Sequence, residues 1–139
     1  MRRIILVLLL CVTAVATAED TFLQDFNIYA ENVYGIEKAT FIANEDGTSY
    51  YMTGSVVMSV GSSIVVYGED HLDVISAACC ALRWYDNGGN MKDQYGTMLS
   101  AYYLVRARDN ISEKILETEN GTKIYVSIKD KTLAIGLIK

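Results

Sequence analysis

The chain has 139 residues, 51% of them hydrophobic, with 12 basic and 17 acidic side chains and a net charge of −5. That charge opposes binding to nucleic acid or to anionic membrane surfaces, and the apolar content, with no block of like charge or low-complexity tract, argues against disorder. Proline is absent, and the 10 tyrosines suit an aromatic-rich core or a contact surface.

The first twenty residues, MRRIILVLLLCVTAVATAED, have the form of an export signal. Arg2 and Arg3 supply the positive start, residues 4–16 are almost wholly apolar, and Ala16-Thr17-Ala18 has the small-x-small form of a cleavage site. The apolar run falls short of the roughly 20 residues a spanning helix needs. A signal peptide over 1–18 is therefore expected, with an uncleaved anchor as the alternative. Leu10 precedes Cys11 where lipoprotein processing wants a small residue, so Cys11 is expected to leave with the signal. Cleavage leaves 121 residues with 10 basic against 17 acidic side chains, a net of −7. Residues 19–139 are then one globular domain of ordinary size, located in the periplasm or outside the cell. No membrane insertion is expected of it after cleavage.

A helix opens the mature part. Phe22, Phe26, Tyr29, Ala30 and Val33 recur at helical spacing, with Asp20 as candidate N-cap and Gly35 as candidate stop. Residues 39–43, 48–60 and 63–68 then read as strands, rich in Val, Ile, Thr and Tyr and separated by turn residues at 44–47 and 61–63. Asp70 is the candidate cap of a second helix running to about Tyr85, and Asp86-Asn87-Gly88-Gly89 ends it. A third helix spans about 92–107, with Tyr95, Met98, Leu99, Tyr102, Val105 and Arg106 close together on its surface. Three short strands close the chain, divided at Asn120-Gly121 and at Lys129-Asp130-Lys131.

The order α-β-β-β-α-α-β-β-β predicts a two-layer α+β domain: an antiparallel sheet of 5–6 strands with about three helices on one face. From Val74 to Leu82 only Ser76 is polar, which places the second helix centrally against the sheet, flanked by the other two or by a second protomer. A weak internal duplication is suggested by a shift of 74 positions, which lays residues 45–51 on 119–125 and the first helix on the third. Only turn chemistry is matched.

Cys79 and Cys80 are adjacent, and consecutive Cα atoms about 3.8 Å apart are too close for an ordinary disulfide. The pair lacks two further metal ligands, and Arg83 is the only nearby cation to lower a thiol pKa. Packing on a buried helix is the expected role, with an intermolecular bridge as the minor alternative. His71, with Asp70 and Asp73, is a weak candidate metal or proton-transfer site; acidic residues complementing a helix N-terminus explain the same pattern. No cofactor is expected. Asn110-Ile111-Ser112 and Asn120-Gly121-Thr122 match the glycosylation sequon, although asparagine also simply favours turns.

Searches for the nucleophile elbow, the zinc-protease helix, the P-loop and the dinucleotide fingerprint all fail. The segment 85–96 is the best contact candidate, because Trp84, Tyr85, Met91 and Tyr95 surround the Gly88-Gly89 hinge. Tyr85, Met91 or Tyr95 is expected to be at least partly exposed, with Trp84 more buried as the anchor of the loop. The leading expectation is an exported non-enzymatic binding or accessory domain recognising a protein or envelope component. A small secreted hydrolase using carboxylates with or without His71 is one alternative, and a structural homo-oligomer subunit the other.

Overall fold

Turn chemistry divides the chain into more strands than its hydrophobic pattern suggests. The computed structural model describes residues 21–86, 91–107 and 114–139, without the side chains of 91–93 and 114–115. The expected signal peptide, Asp20, the Gly88-Gly89 hinge and the first sequon lie outside the described residues. β1 (Thr40–Glu45) and β2 (Thr48–Thr53) are joined by Asp46-Gly47, both at positive φ (50° and 82°), as a tight antiparallel hairpin requires. Gly54, at φ 56°, then turns β2 directly into β3 (Val56–Val60). Residues 48–60, expected as one run, are thus a hairpin. This turn raises the sheet from the expected 5–6 strands to seven.

β4 (Ile64–Gly68) follows, and β5 (Lys114–Glu117), β6 (Lys123–Lys129) and β7 (Thr132–Ile138) complete the sheet in the order β1-β2-β3-β4-β7-β6-β5. All pairings are antiparallel. Because side chains alternate across a strand, one cross-strand row reads Phe41, Tyr51, Met58, Val66, Ile135, Val126 and faces the helices. All of these but the edge residue Phe41 are buried. The opposite face carries two rows, Thr40-Met52-Val57-Tyr67-Ala134-Ser127 and Ala43-Tyr50-Ser59-Val65-Gly136-Tyr125. Neither row holds an Asp, Glu, Lys or Arg, and Met52 and Tyr67 are exposed.

The first helix, α1 (21–34), places Phe22 and Phe26 in the core. Its last turn, Ala30–Tyr34, is a π-helical turn, closed by Gly35 in the left-handed region at φ 64°. A π turn inserts one residue into the helical count. Val33, expected on the apolar face, is therefore 57% exposed, and Tyr34 turns inward instead to meet Tyr95 with ring centroids 5.5 Å apart. α2 (His71–Tyr85) starts at Asp70, whose side chain accepts from the Asp73 backbone N–H, and is buried continuously from Val74 to Leu82. It packs on β3, β4 and β7 and touches both α1 and α3 (Met91–Ala107), which makes it the hub of a single core.

The sequence echo does not become a symmetric repeat. Strand direction alternates through the sheet, so β1 and β5 run the same way, and so do β3 and β7. The β1-β2-β3 and β5-β6-β7 meanders approach β4 from opposite edges, yet α1 and α3 lie on the same face. Overlaying the meanders needs a half-turn about a strand axis, and that would carry one helix to the other face. The two units are of opposite hand.

Candidate functional site

Most of the chemically capable side chains among the described residues are engaged in holding the fold. Cys79 and Cys80 are free thiols with 0% exposure. The Cys79 Sγ donates to Met98 Sδ at 3.6 Å, and burial pushes its pKa up to about 12 despite the opposing effect of the Tyr34 hydroxyl. Burial raises Cys80 further, with Cys79 adding to the effect. Thiols so far from ionisation are poor nucleophiles and poor metal ligands.

His71 is fixed through both ring nitrogens. Nε2 lies 2.8 Å from the Lys131 carbonyl, which can only accept, so Nε2 carries a proton. Nδ1 lies 2.8 Å from the Tyr102 hydroxyl, and Arg106 Nη1 donates to that same oxygen at 3.4 Å. The imidazole therefore staples the start of α2 to α3 and to the β6–β7 turn. Asp70, grouped with it in the sequence, caps the helix. Asp73 has its carboxyl raised above the usual carboxylate range, first by burial and then by the neighbouring Asp70 charge. Among the described residues no group of three or more His, Cys, Asp and Glu side chains converges as a metal site.

Asp86, the C-cap of α2, is the buried carboxylate of the fold at 4% exposure. It accepts from the Thr122 hydroxyl at 2.5 Å, the Thr118 hydroxyl at 3.3 Å and Asn120 Nδ2 at 3.3 Å, and its carbonyl accepts from Asn120 Nδ2 at 3.2 Å. Three donors compensate the cost of burying the charge, and the β5–β6 turn is tied to the helix end. The same bonds occupy the Asn120-Gly121-Thr122 sequon. The Asn120 amide is engaged although the residue is exposed, and Thr122 is fully buried.

The candidate contact residues divide between two places. Trp84 and Tyr85 border a cleft of about 630 Å³ together with Thr21, Asp25, Tyr29, Gly61, Arg83 and Lys139. Tyr95 instead packs against Tyr34 on the far side of α2, and the Met91 side chain lies outside the described residues. The expected order of burial is reversed at the helix end. Tyr85 is only 7% exposed because its hydroxyl donates to the Ser62 carbonyl at 2.6 Å and the Lys139 ammonium covers its ring, 4.9 Å from the centroid. Trp84 is half-buried, set edge-on to Phe22 at 5.2 Å.

The cleft lies between α1, the last turn of α2, the β3–β4 turn and the end of β7. Its cations rest on aromatic faces: the Arg83 guanidinium sits 4.1 Å above the Tyr29 ring centroid, and Lys139 over Tyr85. Among the described residues the ion pair within 4.0 Å is Lys38 with Glu31, so neither cleft cation makes so close a pair, and Asp25 is the carboxylate on the cleft wall. Sequence reading identified Trp84 and Tyr85 but not their companions. Asp25, Tyr29 and Lys139 are spread over more than a hundred positions, and Tyr29 reads as part of the α1 apolar stripe. The one available signal was Arg83, a cation standing immediately beside Trp84-Tyr85.

No protein-family model, curated protein sequence or solved structure matches this chain.

Proposed function

We propose that the chain is an exported, non-enzymatic binding domain that recognises a protein or envelope component through the cleft between α1 and the end of α2. The supporting observation is the composition of that cleft: two cations held on tyrosine faces beside a half-buried tryptophan. Concave sites of this size suit ligand binding, with a few polar groups fixing orientation. The groups best suited to catalysis, His71, Asp86 and the two thiols, are spent on internal bonds or buried.

The test is retention of material from the native envelope fraction or culture fluid on immobilised mature chain, residues 19–139. Wild type is expected to retain a component that Trp84→Ala loses with its far-ultraviolet dichroism unchanged. Equal retention by both proteins would contradict the reading. Export is tested separately: N-terminal sequencing is expected to start at Glu19, and Met1 retained in the membrane fraction would contradict it.

The uncovered sheet face favours a second reading, a homo-oligomer. Two uncharged rows spanning six strands avoid the repulsion that two acidic copies would otherwise meet, and a two-fold axis would set the same face against itself. Sedimentation equilibrium distinguishes the cases. A dimer dissociated by Tyr67→Lys supports this reading, and a monomer at all concentrations removes it.

A further inference from the structure

We infer that the cleft takes a carboxylate attached to an aromatic group, with the carboxylate between Arg83 and Lys139 and the ring against Trp84. This rests on the reading that the cleft is the binding surface, and deepens it to a ligand class. A guanidinium lying flat on a tyrosine ring keeps its in-plane N–H donors directed outward, the arrangement that receives a carboxylate through two parallel bonds. The Arg83 guanidinium carbon sits 4.1 Å from the Tyr29 ring centroid, close enough for such a contact. The Lys139 ammonium over Tyr85 is a second donor, with no described side-chain carboxylate within 4.0 Å of it.

The position of the cleft selects among anions. Residues 83–85 are the last turn of α2, where the helix dipole presents its negative end. Phosphate is favoured at helix N-termini, where backbone N–H groups point outward. At this end the helix field opposes any anion, and a phosphate dianion about twice as strongly as a singly charged carboxylate. Asp25, on the α1 wall of the cleft, adds repulsion against a second negative charge. The remaining wall includes the half-buried Trp84, whose ring is the aromatic surface no cation covers and is available to a flat apolar group. Such a group exists both as a free aromatic acid and as the terminal residue of a polypeptide.

Trp84 is the single tryptophan of the chain, so fluorescence excited selectively at tryptophan reports the cleft without any label. The probes are N-acetyl-phenylalanine, its neutral amide, inorganic phosphate, and a hexapeptide ending in phenylalanine with a free carboxylate. The free acid is expected to give a saturable change in Trp84 emission, with the amide and phosphate at least tenfold weaker. Arg83→Gln is expected to remove the preference for acid over amide, and Lys139→Gln to reduce it several-fold, with near-ultraviolet dichroism retained in both. Tighter binding of the hexapeptide than of the free acid assigns a protein terminus as the source, and equal or weaker binding assigns a small molecule. Equal affinity for acid and amide, stronger binding of phosphate, or an acid preference surviving in Arg83→Gln would overturn the inference. No response to any probe would overturn it too; the cleft reading then still stands if Trp84→Ala loses the retained envelope component, and falls with it otherwise.

Discussion

Burial governs the behaviour of the two thiols. A Cys79 pKa near 12 means that native protein should not react with Ellman's reagent at pH 8, while the unfolded mature chain should titrate two thiols. Fast reaction of either thiol in the native protein would contradict the burial. The same shift predicts alkaline weakening. The raised folded pKa leaves stability intact below the unfolded thiol value of about 8.5, and removes it progressively as pH rises from there through about 12. Denaturant midpoints measured from pH 7 to 11 check this, and Cys79→Ala should flatten the fall. Asp73 behaves alike at acid pH. Its raised carboxyl pKa means that the neutral form suits the fold, so its contribution is full below about pH 3.9 and lost as pH rises through the folded value. Asp73→Asn should therefore raise the melting temperature at pH 7 and leave it unchanged at pH 3. Asp86 contributes through its hydrogen bonds, accepting from three donors at the end of α2. Asp86→Ala strands the Thr122 hydroxyl in the interior and should cost about 2–3 kcal/mol in urea unfolding. A cost near zero would mean that water replaces the lost acceptor.

Between elements, short turns and one irregular helical turn set the geometry. Gly35 closes the π turn at φ 64°, and a Cβ there would meet nothing within 4 Å. Gly35→Ala therefore isolates backbone strain and should cost about 1 kcal/mol, measured as a shift in urea midpoint at constant slope. The pattern of residues reveals the helices well, because Phe22, Phe26 and the apolar stretch from Val74 to Leu82 leave little choice of face, and Asp70 and Gly35 mark their ends. It misses what a single residue changes. The Gly54 turn shows only as a change of phase, from burial at Tyr51 and Thr53 to burial at Val56, Met58 and Val60, inside a run of continuous strand-forming residues, and the π turn moves Val33 out and Tyr34 in without altering composition. The candidate site was legible only where it is local in sequence, at Trp84 and Tyr85. Tyr29, Asp25 and Lys139 reach the cleft through the docking of α1 and the end of β7, which no local pattern encodes. His71 was ambiguous for a related reason, since its partners Tyr102 and Lys131 stand 31 and 60 positions away, and Asp86 read only as part of a helix stop because Thr122 stands 36 positions away.

For the whole molecule, a seven-stranded antiparallel sheet covered on one face by three helices leaves two surfaces of distinct character: the cationic, aromatic cleft at the end of α2 and the open face of the sheet, whose two central rows are uncharged and are flanked on β6 by Lys123 and Lys129. Amide hydrogen exchange on the complex of wild-type mature chain with its retained component distinguishes recognition by the cleft from recognition elsewhere. Recognition by the cleft slows exchange over residues 21–29, 61–63 and 83–85, with β2, β3 and β4 unchanged from the free protein. Protection confined to the sheet strands, with exchange at 21–29 and 83–85 unaltered, would contradict it.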